Sequence, residues 1–255
     1  MRPIAPRVLV ACAACVAVLS CGGLPSLADG IAFISPIILP APAVAVNDTL
    51  RDSLGRVAPL VVQAFDQKDN PITNVTTSFL VTTLPAGVKI DANGIVTAPD
   101  SIRTVQIVAR IGERLQTAAT NLEVVAQPDL MAASGGVDSL VANQPSSALQ
   151  VAVTGDRRGT RVPVPGIIVR YRIVSTVPSR TIDPTLFFFT EGQRADLTRT
   201  VDTTLTSSQT TSRAIIASDV TGLTSITVEA RANNLKGVPL PGSPVRFVIP
   251  VKKGA

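Results

Sequence analysis

The chain has 255 residues, with 23 Lys and Arg against 18 Asp and Glu for a formal charge of +5, and it contains no histidine and no tryptophan. Lack of histidine excludes histidine-based nucleophilic triads and His/Cys zinc sites, and the basic residues form no dense run of the kind nucleic-acid sites use, so no nucleic-acid partner is expected. Val, Ile, Leu, Ala and Thr, punctuated by 20 prolines and 17 glycines, describe short pleated strands joined by turns, an all-β composition.

The first element is an export signal. Arg2 and Arg7 precede an uncharged run from Val8 to Leu19, and the small Ser20 stands before Cys21, which is the order of a secretory signal. The run covers about 12 to 14 residues, short of the roughly 20 that cross a bilayer. Ala17-Val-Leu-Ser-Cys21 resembles the lipobox of bacterial lipoproteins, and the resemblance implies that Cys21 is acylated and becomes the first residue of the mature protein. A second cleavage site competes: Ser26-Leu-Ala28 before Asp29 has small residues at the two positions an ordinary signal peptidase reads. Cys12, Cys15 and Cys21 are the only cysteines, so cleavage before Cys21 leaves one thiol and no intramolecular disulfide. Without Arg2 and Arg7 the charge falls from +5 to +3, read here as spread over a solvated surface.

Residues 21–43 hold the apolar stretch Gly30-Ile-Ala-Phe-Ile-Ser-Pro-Ile-Ile-Leu-Pro-Ala-Pro-Ala43. Its prolines exclude a helix interior or a central strand. The expectation is an extended tether that packs partly on the first domain.

Two related units come next, over residues 44–127 and 128–255. Asp48-Thr-Leu50 before Leu60-Val-Val-Gln-Ala-Phe-Asp66 has a counterpart 90 residues later in Asp138-Ser-Leu140 before Leu149-Gln-Val-Ala-Val-Thr154. Val105-Gln-Ile-Val-Ala-Arg110 matches Ile226-Thr-Val-Glu-Ala-Arg231 at a spacing of 121, so the second unit carries an insertion of about 30 residues. In the latter segment Ile226, Val228 and Ala230 alternate with Thr227, Glu229 and Arg231, and Val169, Tyr171 and Ile173 alternate with Arg170 and Arg172. This is the period of a half-buried strand, and many such strands predict two tandem Ig-like β-sandwiches after the signal helix and Pro-rich tether. In Gly87-Val-Lys-Ile-Asp-Ala-Asn-Gly-Ile-Val-Thr-Ala98, Asn93 and Gly94 tolerate positive φ and are expected to reverse the chain between Val88-Lys-Ile90 and Ile95-Val-Thr97. That stretch resembles the hairpin of group 2 bacterial Ig-like domains, and Gly159-Thr-Arg-Val-Pro-Val-Pro-Gly166 before Ile167-Ile-Val-Arg-Tyr resembles a segment of invasin-like bacterial Ig domains. The resemblance implies extracellular or periplasmic spacers, adhesion units or scaffolds without catalytic residues.

Candidate chemistry is sparse. Asp66, Asp69 and Asn70 crowd one turn, and Asp183, Glu191 and Asp196 lie in the insertion. Either set offers oxygen ligands for Ca²⁺ or a carboxylate pair, against the simpler reading of turn-forming side chains. No cofactor is expected. Phe187, Phe188 and Phe189 cannot all face one side of a strand, so either one is exposed to a partner or both faces are covered. The hydroxyl-rich residues 198–212 read as a wet edge strand and a loop, with O-glycosylation or binding as the functional alternative. Asn47-Asp-Thr49 and Asn74-Val-Thr76 fit the N-glycosylation pattern, a chance match in a bacterial lipoprotein. The function expected is a non-catalytic, lipid-anchored protein of the outer membrane or cell surface that acts in adhesion, binding or spacing, with an envelope protein or surface polysaccharide as partner. The alternatives are a secreted carbohydrate-binding protein, a carboxylate-dependent enzyme, or an accessory subunit of an envelope complex.

Overall fold

The computed structural model describes residues 30–83, 87–112, 115–191, 200–205 and 210–252. It is all-β. In the N-terminal half the strands are β1 (Phe33–Ile34), β2 (Ala43–Ala45), β3 (Ala64–Phe65), β4 (Pro71–Ile72), β5 (Thr77–Val81), β6 (Lys89–Ile90), β7 (Val96–Thr97), β8 (Arg103–Ile111), β9 (Leu115–Gln116) and β10 (Thr120–Val125). The main sheet runs β2-β10-β8-β5, with β9 also paired to β8. Its dry face carries Val105, Ile107 and Ala109 of β8 and Leu122 and Val124 of β10. These pack on Val88, Val96 and Ala98 around the β6–β7 hairpin, and on Leu50 and Leu60.

In the C-terminal half follow β11 (Pro128–Ala133), β12 (Val151–Arg157), β13 (Thr160–Pro163), β14 (Ile168–Val177), β15 (Phe187–Glu191), β16 (Val201–Thr203), β17 (Arg213–Ala217), β18 (Ser225–Ala232) and β19 (Val245–Pro250). The sheet β16-β14-β18-β19 covers one side of a second, larger core. The other side comes from β11-β12-β13 and β15-β17, through Met131, Val151, Val153, Phe187, Phe189 and Ile215. The matched segments of the two halves occupy matching places. β8 lies between β5 and β10, and β18 lies between β14 and β19. Parallel pairing of β2 with β10 has its counterpart in the parallel bridge of Leu140 with Val251.

Three expectations meet the structure in finer detail. First, the described part of the Pro-rich segment packs on the N-terminal half, as expected of a tether partly seated there: Ile31, Ile37 and Ala41 are buried, β1 pairs with β3, and Phe33 stacks on Phe65 at 4.8 Å. Proline forbids a central strand but not edge pairing with apolar side chains turned inward. Second, the expected reversal at Asn93-Gly94 joins β6 to β7, through a longer turn in which Gly94 alone of the pair takes positive φ, +80°. Asp91 closes it by accepting from the amides of Asn93 and Ile95. A Cβ on Gly94 would meet Leu60 O at 3.1 Å. Third, the wet edge strand expected within residues 198–212 is present as β16, at the edge of its sheet with Val201 exposed, but not every hydroxyl of the segment faces water. Residues 198, 199 and 206–209 lie outside the described set, but Thr204 and Thr211 are buried. The Thr204 hydroxyl donates to Val164 O and accepts from Ile167 N, and Thr211 Oγ1 accepts from Val151 N. Their hydroxyls therefore satisfy backbone groups that a core must not leave unpaired.

The halves meet through two matching turns. Asp52 Oδ1 accepts from Leu54 N and Arg56 N, and Asn234 Oδ1 accepts from Lys236 N and Val238 N. Gly55 (φ +80°) and Gly237 (φ +79°) bring these turns backbone to backbone. A Cβ on Gly55 would lie 2.1 Å from Lys236 O, and one on Gly237 would lie 2.5 Å from Leu54 O. Arg158 with Asp100 at 3.1 Å and Lys236 with Asp48 at 3.8 Å add ion pairs across the same joint.

Candidate functional site

The alternation of β14, β18 and β19 turns Val169, Tyr171, Ile226, Val228, Phe247 and Ile249 into the core, which leaves their neighbours on the outer face. Strand register then decides which outer residues meet. Arg172 pairs with Glu229, Glu229 pairs with Arg246, and Arg170 pairs with Arg231, so Arg172, Glu229 and Arg246 form one row across three strands. Adjacent strands lie about 4.8 Å apart, which puts the two arginines of that row about 10 Å apart with the glutamate between them.

Glu229 is the hub. Its Oε2 accepts from Nε and Nη2 of Arg172 at 3.3 and 3.1 Å and from Nε and Nη2 of Arg231 at 3.1 and 2.8 Å. Its Oε1 takes Nε and Nη2 of Arg246 at 3.0 and 2.9 Å. The guanidiniums close over it, so its side chain is 2% exposed while theirs are 60%, 51% and 67% exposed. Their hydrogen bonds, foremost those from Arg231, outweigh the cost of covering the carboxylate and hold its pKa down to about 2. The result is a wet sheet face with four arginines, three of them fixed by one shielded glutamate. No run of basic residues marks it in the sequence. The available signal was the alternation itself, which puts Arg170, Arg172, Glu229 and Arg231 on wet faces; Arg246, the lateral order and the clustering come from the tertiary structure. Four of the basic residues read as spread thus stand together on this face.

A second feature lies at the edge of the core. Tyr171, Arg172, Ile182, Pro184, Phe187 and Phe189 contribute to the wall of a cavity of about 260 Å³. Phe187 and Phe189 are buried, Phe188 is half-buried, and the Arg180 guanidinium stands 5.0 Å from the centre of the Phe187 ring. The aromatic triplet is thus a strand with both faces covered to different degrees, paired with the fully buried β17. The Tyr171 hydroxyl donates to Leu149 O at 2.9 Å and shares a hydrogen bond with Thr211 Oγ1. Burial pushes its phenol pKa up.

Among the described carboxylate candidates, Asp66 and Asp183 serve turns. Asp66 accepts from the Asn70 side chain and from the amides of Lys68 and Asn70, which lower its pKa. Asp69 lies in the left-handed region at φ +62°. Asp183 accepts from both the amide and the hydroxyl of Thr185. The Glu191 side chain, Asp196, Cys21 and the alternative cleavage site after Ala28 lie outside the described residues. Among the described residues no group of three or more His, Cys, Asp or Glu could hold a metal ion, and no helix is long and apolar enough to cross a membrane. Asn47 and Asn74 occupy positive-φ positions, at +56° and +64°, where asparagine is favoured on conformational grounds.

No family model matches the sequence, and no curated protein matches it. Among solved structures the chain is similar to the adhesin InvE of Yersinia pseudotuberculosis, at 15% identity and TM-score 0.35 over 86% of this chain and 57% of that one. It is also similar to domains 4 and 5 of the S-layer protein SbsC, at 13% identity and TM-score 0.30 over 88% and 97%. A third is the Escherichia coli adhesin FdeC, at 12% identity and TM-score 0.28 over 86% and 63%. The chain thus spans little more than half of InvE.

Proposed function

We propose that this protein is exported, acylated at Cys21 and held at the outer membrane or cell surface, where its two sandwiches act as a non-catalytic structural and binding unit. In this reading residues 1–20 are the signal, 21–43 link the anchor to the body, and 44–127 and 128–255 are the two Ig-like domains. The observation that carries it is the uncharged run ending in Ser20-Cys21 ahead of an all-β body. The glycine-mediated joint supports a spacing role, because side chains at Gly55 or Gly237 would drive the halves apart. A mature lipoprotein carries several acyl chains, enough for firm anchoring where one chain binds only marginally.

Mass spectrometry of the mature N-terminus, with membrane fractionation of wild type and Cys21→Ala in a bacterial host, tests the reading. An acylated Cys21 peptide in the membrane fraction, absent in the variant, is the expected result. An unmodified terminus at Asp29 in the medium would replace the anchored protein with a freely secreted one.

A further inference from the structure

We propose that the outer face of the β16-β14-β18-β19 sheet binds a carboxylate-bearing polysaccharide, with Arg170, Arg172, Arg231 and Arg246 as its charged contacts. The proposal rests on export, which brings the protein to such a polymer, but not on acylation. Charge distribution is the first argument. From residue 21 onward the chain has a surplus of three positive charges once Arg2 and Arg7 are set aside. Four arginines against Glu229 make the same surplus of three on this single face, so the remainder is balanced. A face with a local surplus of three positive charges draws in the opposite charge.

Donor geometry is the second argument. Arg172, Arg231 and Arg246 each spend Nε and Nη2 on Glu229, which fixes three planar forks while their Nη1 groups take no part in those bonds. Glu229 displays the anion these forks suit, since guanidinium donors match a carboxylate in paired geometry. Holding the arginines in place beforehand reduces the ordering cost of binding. The surrounding outer-face residues Thr203, Ser225 and Thr227 offer hydroxyls to a sugar chain. Val201 and Val248 are exposed at the two edges of the sheet, and no outer-face position of these strands is aromatic. Protein interfaces centre on large, chiefly aromatic or arginine anchors sunk into pockets, whereas a flat array of charges and hydroxyls fits a linear acidic glycan.

The test uses the full-length chain in mild detergent against immobilised polygalacturonate, with neutral dextran, double-stranded DNA and anionic phospholipid vesicles alongside. The chain is expected to bind polygalacturonate at low salt and not dextran, and to be released at high salt as exposed charges are screened. Arg172→Gln with Arg246→Gln should bind about tenfold more weakly, in keeping with the loss of two exposed ion pairs. Arg170→Gln, which leaves all of Glu229's partners intact, should also weaken binding and so separates the effect from any misfolding of the double variant. Arg56→Gln and Arg158→Gln remove the same charge elsewhere and should leave binding unchanged. Absence of wild-type binding, an equal loss in Arg56→Gln or Arg158→Gln, or preference for DNA or vesicles over polygalacturonate would each overturn the proposal. The N-terminal mass is independent of all these readings.

Discussion

Replacing Tyr171 with Phe tests how the larger core handles its polar groups. The ring is 3% exposed and packs beside Phe189 with centroids 5.9 Å apart, a contact that phenylalanine keeps. The hydroxyl links Thr211 to Leu149 O, and residues 149 and 211 have no exposed surface. Without it, the Leu149 carbonyl loses this donor and the Thr211 hydroxyl loses its shared partner, in a place water does not reach. A buried group left unpaired costs about 1 to 3 kcal/mol, and part of that is recovered because Phe carries no phenol to desolvate, so the expected destabilisation is about 2 kcal/mol. Urea unfolding followed by circular dichroism should show a lower midpoint with unchanged m. Thr211→Val breaks the same chain from its other end and also strips the acceptor of Val151 N, so the double variant should cost less than the sum of the singles. A loss under about 0.5 kcal/mol for Tyr171→Phe, or strict additivity, would mean that the hydroxyl chain does not act as a unit.

Acid should reveal Glu229. Its carboxyl titrates near 4.5 when unperturbed and at about 2 in the fold, so its stabilising contribution is complete above pH 4.5 and is lost as pH falls towards 2. Melting temperatures taken from pH 6 to 2 should fall less steeply for Glu229→Gln than for wild type; parallel curves would contradict the assignment. Phe187→Ala and Phe189→Ala should each cost about 3 to 5 kcal/mol as buried aromatic truncations, and the half-buried Phe188→Ala clearly less, with equal losses at all three counting against the burial difference. Gly237→Ala should open the joint between the halves, because its Cβ would lie 2.5 Å from Leu54 O at a φ of +79°; an unchanged small-angle scattering profile would show that the joint adapts. The melting temperature should not respond to Ca²⁺ or chelator, since hydrogen bonds within the turn engage Asp66, and a rise with Ca²⁺ would restore the metal reading.

Local periodicity made much of the architecture legible. Alternation in Ile226-Thr-Val-Glu-Ala-Arg231 assigned each residue to a dry or wet side, and β18 keeps that assignment with one qualification: Glu229 is on the outer side yet covered. The echo of Val105-Gln-Ile-Val-Ala-Arg110 with this segment placed two strands in matching central positions. Other features depended on neighbours far away in the chain. Asn93 fits a tight reversal by composition, but Asp91 closes the turn from two residues earlier. Threonines 204 and 211 read as wet because hydroxyls usually face water, and they are buried because backbone donors and acceptors 37 to 60 residues away need them. The prolines of residues 36–42 exclude a central strand without revealing that an edge was open for Phe33 and Ile34.

The arginine face marks the boundary most clearly. By itself the sequence determined that Arg170, Arg172, Glu229 and Arg231 lie on wet faces, that the chain is built from short strands and that an uncharged run stands ahead of Cys21. Which of those charges stand side by side was decided only by the tertiary structure. Side-chain facing follows from a two-residue period within one strand, whereas lateral contact follows from strand order and register, which bring residues 172, 229 and 246 into one row through packing of the whole core.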